Sequence, residues 1–314
     1  NCKTMEALFF GYLTIDYQKS KSIVEQKQEF VKEQEEEFAK LKTYKGAEAF
    51  EKLRLLYLET LKTLPDTIGK LEKLQILELA HCQSLEGLPP STGNLSLLTR
   101  LGLRFCGALK TLPDTIGKLE KLQILELAHC QSLEGLPPST GNLSLLTRLE
   151  LRFCGALKTL PDTIGKLEKL QILELASCQS LEGLPPSIGN LSLLTELGLN
   201  DCGALKTLPD TIGKLEKLQI LELGSCKSLE GLPPSIGNLS LLTELGLNDC
   251  GALKTLPDTI GKLEKLQTLQ LASCESLEGL PPSIGNLSLL THLGLSPCGA
   301  LKTLPDTIAY RSFS

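Results

Sequence analysis

The chain of 314 residues has no tryptophan, only one methionine and few aromatic residues, which make up 4% of the sequence. A single compact domain of this size usually mixes its large apolar side chains to fill an irregular core. Leucine takes the place of that mixture, with 74 copies, of which 71 follow residue 50. This composition argues against an ordinary globular enzyme and favours one packing arrangement that is used many times.

Long apolar runs and a strong net charge are also missing. No stretch reaches the 18 apolar residues that a membrane helix needs, and the apolar run at residues 7–15 lacks the basic flank and cleavage site of a signal peptide. The net charge of −5 gives no overall basic field for nucleic acid. We therefore expect no membrane span, no signal peptide and no nucleic-acid partner.

Catalytic motifs are absent too. The sequence contains no G-x-S-x-G, no H-E-x-x-H and no G-x-x-x-x-G-K-[ST], and the recurrent Gly-Lys-Leu-Glu lacks the phosphate-binding spacing. The three histidines, His81, His129 and His292, complete no recognisable catalytic set. We expect neither enzymatic activity nor a cofactor.

The cysteines that are present follow a strict rule. Apart from Cys2, consecutive cysteines are 24 residues apart: Cys82, Cys106, Cys130, Cys154, Cys178, Cys202, Cys226, Cys250, Cys274 and Cys298. Self-similarity at a period of 20 to 50 residues is the signature of a solenoid.

On this period, residues 50–313 divide into eleven repeats of the form L-x-x-L-x-L-x-x-C-x-x-L-x-x-L-P-x-x-x-G-x-L-x-x. The alternation in L-x-x-L-x-L predicts a short strand whose leucines point into the core. We expect Pro89-Pro90 or Pro113 to stop the strand, and the segment after it to return as a turn or short helix. The first repeat departs from the pattern, with Phe50 at its start and Leu58 in place of cysteine.

These motifs resemble the leucine-rich repeat family. The L-P-x-x-I-G-x-L element is similar to the repeats of plant intracellular immune receptors and of Ras-group-related leucine-rich proteins. The resemblance implies an α/β solenoid at residues 50–314, an arc with a concave parallel sheet and convex turns or short helices. It also implies a non-catalytic recognition module that binds a protein or peptide on its concave face, with an immune or signalling role.

The ten regularly spaced cysteines predict a buried thiol ladder. A metal site needs ligands that converge on one point, whereas equivalent side chains of a solenoid run parallel, which also disfavours disulfides between repeats. Unpaired thiols favour a reducing compartment and therefore a cytoplasmic location. The alternative is secretion with glycosylation at five copies of one N-x-S turn, at Asn94, Asn142, Asn190, Asn238 and Asn286.

Two repeat types alternate, so the chain can be compared with itself in steps of 48 residues. Sixteen differences separate successive copies from Lys62 onward, and thirteen of them fall at the third, fifth, seventh and eighth positions of a repeat. In the family these positions project from the concave sheet. The convex segment Asp-Thr-Ile-Gly-Lys-Leu-Glu-Lys-Leu-Gln is identical in all five complete copies. Drift at exposed positions would mark both faces, so we interpret the concave sheet as a recognition surface.

The candidate binding residues change in character along the sheet. The eighth position is aromatic or imidazole in the first five repeats and mainly Ser or Asp afterwards, while arginines on the first half give way to acidic residues on the second. We expect an anchor in the first half for a partner of apolar and acidic character, and an acidic half that attracts a basic region. The candidates are Tyr57, His81, Arg100, Arg104, Phe105, His129, Arg148, Arg152, Phe153, Glu196, Asp201 and Asp249.

Residues 1–49 follow a helical pattern instead. The first interpretation is a helical cap over the exposed end of the solenoid core. A coiled-coil contact through Val24, Val31 and Phe38 is the alternative. For the whole chain, a structural scaffold subunit in an assembly and a secreted enzyme inhibitor remain alternatives to the recognition module.

Overall fold

The computed structural model describes residues 50–308 together with residues 32, 36 and 38–40. Residues 50–308 form a solenoid with one eleven-stranded sheet in sequence order. Its strands are β1 (Lys52–Leu56), β2 (Ile76–Ala80), β3 (Arg100–Arg104), β4 (Ile124–Ala128), β5 (Arg148–Glu150), β6 (Ile172–Glu174), β7 (Glu196–Gly198), β8 (Ile220–Glu222), β9 (Glu244–Gly246), β10 (Thr268–Gln270) and β11 (His292–Gly294). The predicted solenoid with a parallel sheet is confirmed.

The 24-residue period sets the register of the sheet. Each strand pairs in parallel with the next repeat, so that Leu53 lies beside Leu77 and Leu77 beside Leu101. These leucines are almost fully buried, whereas the residues between them lie on the opposite face of the sheet and keep more exposure. The sequence alternation therefore places the core on one side of the sheet and the variable positions on the other.

The strands end well before the prolines, so the prediction that proline stops them is wrong. Strand β2 ends at Ala80, and Pro89 lies nine residues later as the N-cap of a short helix. The chain turns at the eighth position of the repeat, where His81 has a φ of 57°. A left-handed residue turns the backbone out of the strand, and the prolines lie at the start of the short helix that follows.

Short 3-10 helices cover the other side of the core, which confirms the expectation of convex turns or short helices. They are η1 (Asp66–Lys70), η2 (Pro90–Asn94), η3 (Asp114–Lys118), η4 (Pro138–Asn142), η5 (Asp162–Lys166), η6 (Pro186–Asn190), η7 (Asp210–Lys214), η8 (Pro234–Asn238), η9 (Asp258–Lys262), η10 (Pro282–Asn286) and η11 (Asp306–Ile308). Their glycines allow close stacking, since a Cβ on Gly141 would lie 2.7 Å from the Thr163 Cβ.

The cysteines form the predicted ladder inside the solenoid. Those from Cys82 to Cys274 are fully buried and Cys298 is half-buried. Each thiol donates to a backbone carbonyl 27 residues earlier, as from Cys178 Sγ to the Leu151 oxygen at 2.9 Å. Burial raises the pKa of Cys178 to about 12. The ladder thus supplies hydrogen-bond donors to the core, and the raised pKa keeps the Cys178 thiol protonated. Cys2 lies outside the described residues.

The two ends of the described solenoid differ. Phe38, in a helical segment, and Phe50 are partly buried and pack against the core. Val24 and Val31 lie outside the described residues, so the cap and the coiled coil stay predictions. At the other end, Leu289 and Leu304 are half-exposed. Among the described residues, no helix has the length and apolar character needed to cross a bilayer.

Candidate partner-binding face

The candidate site is the exposed face of the sheet, formed by the third, fifth, seventh and eighth positions of each repeat, and is called the concave face below. The eighth-position residues continue the ladder of the sheet: the backbone N–H of Phe105 donates to the carbonyl of Ala128 at 2.8 Å. Ten of these residues, from Tyr57 to Ser273, share a φ between 55° and 61°. This left-handed backbone repeats once per turn of the solenoid.

Five rings at this position form one continuous stack, called the aromatic column below. Their centroids are 4.5 Å apart for Tyr57 and His81, 4.4 Å for His81 and Phe105, and 4.2 Å for the next two pairs, Phe105 with His129 and His129 with Phe153. The planes of neighbouring rings differ by 6° to 11°. The spacing of parallel strands, about 4.8 Å, places the rings at stacking distance without any further adjustment.

Stacking offsets a conformational cost in the aromatic column. A left-handed backbone costs a residue other than glycine about 1–2 kcal/mol, and short polar residues such as Asp tolerate it best. An aromatic pair contributes about 0.5–1.5 kcal/mol beyond its buried area. The backbone cost and the stacking gain are of similar size, so a ring in this conformation is stabilised by its neighbours in the stack. Asp201 and Ser225 adopt the same backbone conformation without stacking.

Burial also affects charge in the column. It lowers the pKa of His129, which lies between Phe105 and Phe153. The imidazole of His129 is therefore neutral at neutral pH, and a proton on it would have to be accommodated between two rings.

The arginines predicted as an anchor are paired with glutamates. Arg100 bridges Glu78 at 3.5 Å and Glu126 at 2.9 Å, and Arg104 also contacts Glu126. Arg148 pairs with Glu150, and Arg152 with Glu174 at 3.1 Å. These contacts hold the guanidinium groups and offset part of their charge, since Arg100 and Arg104 share Glu126. The side chains of Arg104 and Arg152 remain 48% and 42% exposed, so they still border the face.

The second half of the concave face is acidic and lacks such partners among its own positions. From the sixth repeat onward these positions contain Glu174, Glu196, Asp201, Glu222, Glu244 and Asp249 but no Lys or Arg. Partial burial and the neighbouring Glu244 raise the pKa of Glu222. Apart from Glu174, which pairs with Arg152, these acidic side chains have no Lys or Arg beside them among the positions of the second half.

Asparagines of the second half have a role that sequence reasoning missed. The Asn200 side-chain oxygen accepts from the Gly224 backbone N–H at 2.7 Å, and Asn248 does the same for Ala272 at 2.9 Å. Asn248 also donates to Gln270 at 2.6 Å. The left-handed eighth position was missed as well, although its regular Ser and Asp residues are the types that favour this conformation.

The structure brings together only part of the predicted site. The five rings form one unit and the four arginines lie beside it, whereas Glu196, Asp201 and Asp249 are exposed along the second half. In the part of the chain that the structure describes, no three His, Cys, Asp or Glu side chains are arranged to hold a metal ion.

Comparisons with known proteins agree with this architecture. The family model described as Leucine Rich Repeat matches residues 169–191. The leucine-rich repeat domain of the type III effector XopL is 29% identical with a TM-score of 0.62, covering 76% of this chain and 79% of that domain. No curated protein matches the sequence significantly.

Two longer receptors share the fold. The crystal structure of a TDR receptor is 26% identical, with a TM-score of 0.56, and covers 78% of this chain but only 43% of the receptor. The Drosophila Toll–Spatzle complex structure, 21% identical with a TM-score of 0.52 over 74% of this chain and 37% of its match, shows the fold alone. The narrower resemblance to plant intracellular immune receptors stays a prediction.

The 24-residue leucine pattern, the parallel sheet, the stacked short helices and these similarities lead to one conclusion: residues 50–308 fold as a leucine-rich repeat solenoid.

Proposed function

We propose that the protein is a non-catalytic recognition module that binds a protein or peptide partner on its concave face. Leucine-rich repeat proteins with this fold are protein-interaction modules, and the similar structures include an effector domain and a receptor. A role in immunity or signalling is part of the proposal.

One observation carries the proposal: most differences between the internal copies lie on the concave face. Thirteen of the sixteen differences lie at its four positions. The convex residues Lys70, Glu72 and Lys73 are exposed, yet their equivalents are the same in all five complete copies. Exposure is therefore shared by both faces and cannot alone account for where the copies diverge.

The chemistry of the face indicates a partner with two regions. The aromatic column supports an apolar or planar contact, with Arg104 and Arg152 at its border. Glutamates pair with those arginines, yet the first five repeats still carry six cationic residues on the face against three glutamates, whereas the second half carries acidic residues and no Lys or Arg. A basic region of the partner is therefore expected at the second half, and an acidic region at the first.

The test is a pull-down with the intact chain as bait. A concave variant with Arg104, Phe105, Arg152 and Phe153 all changed to Ala is compared with the unaltered chain. We expect partner recovery to fall about tenfold or more, because aromatic and arginine side chains dominate binding energy at interfaces. Unchanged recovery by the concave variant contradicts the proposal.

A matched convex variant controls for the number of changes. It carries Lys118, Glu120, Lys166 and Glu168, all exposed on the third and fifth repeats, changed to Ala. This variant is expected to recover the partner normally. Loss of binding by the convex variant alone would favour a structural scaffold. Thermal unfolding of both variants verifies that each remains folded.

We also propose a cytoplasmic location. Nine buried, unpaired thiols suit a reducing compartment. The five sequon asparagines are all exposed at the ends of their helices, so a glycan would meet no steric obstacle there. A mass shift on glycosidase treatment of the protein from its native cells would overturn the proposal and favour the secreted inhibitor.

A further inference from the structure

The aromatic column ends at Phe153 with an uncovered ring face. Phe153 is 44% exposed, whereas Tyr57, His81, Phe105 and His129 are half-buried. The next residue of the column, Ser177, has the same left-handed backbone but only a hydroxymethyl side chain. Among the described residues, no ring stacks on the outer face of Phe153, so the place of a sixth ring is open.

The order of the rings in the aromatic column indicates which chemical group would stack well on the outer face of Phe153. Benzenoid rings and imidazoles alternate along the column, from Tyr57 through His81, Phe105 and His129 to Phe153. Two benzenoid rings placed face to face bring their negative faces together, which is the less favourable arrangement. The next member of the series is therefore best supplied by a planar group that is poor in electrons or positively charged.

The acidic residues beyond Phe153 favour a cation as the group that stacks on this ring. The positions that follow on the concave face contain only acidic charge, and Asp201 is exposed two repeats beyond Phe153 in the same column. At about 4.8 Å per repeat, a planar cation stacked on Phe153 would lie over Ser177 and within about 6 Å of Asp201. Guanidinium is both planar and cationic, and it stacks on aromatic faces.

We propose that Phe153, Ser177 and Asp201 form a stack-end site that receives an arginine side chain of the partner. Phe153 supplies the ring face, Ser177 leaves the space and Asp201 supplies the negative field. A lysine gains the charge but not the planar contact. This inference rests on the proposed function and names the chemistry of the partner at one point of the concave face.

The test is a nuclear magnetic resonance titration of the full chain with labelled phenylalanine. The probes are acetyl-Gly-Arg-Gly-amide and acetyl-Gly-Lys-Gly-amide, and Phe153→Leu identifies the Phe153 ring signals. We expect the arginine probe to shift these signals saturably at millimolar concentration. The lysine probe is expected to bind more weakly, by about threefold or a larger factor. Equal effects of the two probes would overturn the inference.

Two serine variants locate the site. Ser177→Phe adds a sixth ring in a backbone conformation that Phe105 and Phe153 already adopt, and it is expected to abolish the preference for arginine. Ser273→Phe is the matched control, with the same change and a φ of 61° four repeats farther along, and it is expected to bind as the unaltered chain does. Asp201→Asn is expected to weaken binding about threefold. Arginine-specific binding that persists in Ser177→Phe overturns the site.

The two proposals fail separately. A partner captured equally by the unaltered chain and by Ser177→Phe overturns the stack-end site as a partner contact and leaves concave-face recognition intact. Arginine-specific shifts at Phe153, together with partner capture that the concave variant does not reduce, support the site and overturn the proposed function.

Discussion

Two threonines on the helices bury a hydroxyl group that later repeats lack. Thr92 and Thr140 are fully buried and their hydroxyl oxygens have no hydrogen-bond partner. The equivalent residues Ile188, Ile236 and Ile284 are also fully buried. A buried hydroxyl without a partner costs about 1–3 kcal/mol, so the repeats with isoleucine are expected to be the more stable ones.

Changing Thr140→Ile is therefore expected to raise the free energy of unfolding by about 1–2 kcal/mol. The cavity is already known to accept isoleucine, because the next copy of the same repeat holds Ile188 there. Urea unfolding measures the change. The reverse substitution Ile188→Thr is the control and is expected to destabilise by a similar amount; a stabilising Ile188→Thr would contradict the argument.

The raised pKa of Glu222 gives a pH-dependent effect. Burial and Glu244 disfavour the ionised form in the folded chain, so this carboxylate destabilises the fold at neutral pH, and the cost is relieved as pH falls through the raised pKa. We expect Glu222→Gln to raise the free energy of unfolding at pH 7 by less than about 1 kcal/mol after solvent screening. The gain should vanish below about pH 4, where the unfolded carboxyl is also protonated.

Thermal unfolding across this pH range checks the Glu222 prediction. Glu72→Gln on the convex side is the control, because Glu72 is exposed at the surface. A gain from Glu222→Gln that is the same at pH 4 and pH 7 would show that ionisation is not its cause.

Burial is expected to make the cysteine ladder unreactive, because reagents do not reach fully buried thiols. The pKa of Cys154 is raised by burial to about 12, and its thiol donates to the Leu127 carbonyl. We expect N-ethylmaleimide at pH 8 to leave Cys82 to Cys274 unmodified in the folded chain and to label them in urea. Mapping the adducts by mass spectrometry measures this. Labelling of Cys154 in the folded chain at the rate of a free peptide thiol would contradict it.

At the scale of elements, glycine sets how closely the 3-10 helices stack. A Cβ on Gly141 would contact the backbone oxygen of Thr163 and lie 2.7 Å from its Cβ. Backbone cannot move aside as a flexible side chain does, so the two helices would have to separate. The same contact recurs along the stack, with Thr115 opposite Gly93.

We expect Gly141→Ala to destabilise the chain by about 1–3 kcal/mol, the usual cost of overpacking. Gly135→Ala is the matched control, since a Cβ there meets nothing within 4 Å. Both variants are compared by urea unfolding. Equal stability of the two would show that helix stacking tolerates the extra atom.

The elements also show what sequence can and cannot predict. The leucine alternation predicted β2 because Leu77 and Leu79 lie two residues apart, as buried strand residues must. The turn at His81 was misplaced to the prolines, because the rings of the first repeats hide a conformation that only the Asp residues at the same position of later repeats indicate. The column of rings followed from the period, but the pairing of Arg152 with Glu174 depends on side-chain rotamers that no repeat pattern specifies.

At the scale of the whole molecule, stability is distributed through contacts between neighbouring repeats. An interior strand such as β6 has a repeat on each side, and Leu173 is fully buried. Strand β11 is at the edge of the sheet, and Leu293 and Leu295 are only partly buried. A solenoid of this kind opens most easily where a repeat has one neighbour.

We expect backbone amides of β11 to exchange with solvent about tenfold or more faster than those of β6. Hydrogen exchange followed by mass spectrometry compares the two strands within one sample, so β6 serves as the internal control. Equal protection of both strands would indicate that the end of the sheet is covered.

The constant 24-residue register also makes the number of repeats an evolutionary variable. Removing residues 206–253 would join Leu205 to Lys254, which restores the Leu-Lys step found there in the other copies. Recombination between such near-identical segments can add or remove 48 residues at a time while every remaining junction keeps its packing. The number of repeats in the aromatic column and in the acidic second half can therefore change in evolution while the packing between repeats stays the same.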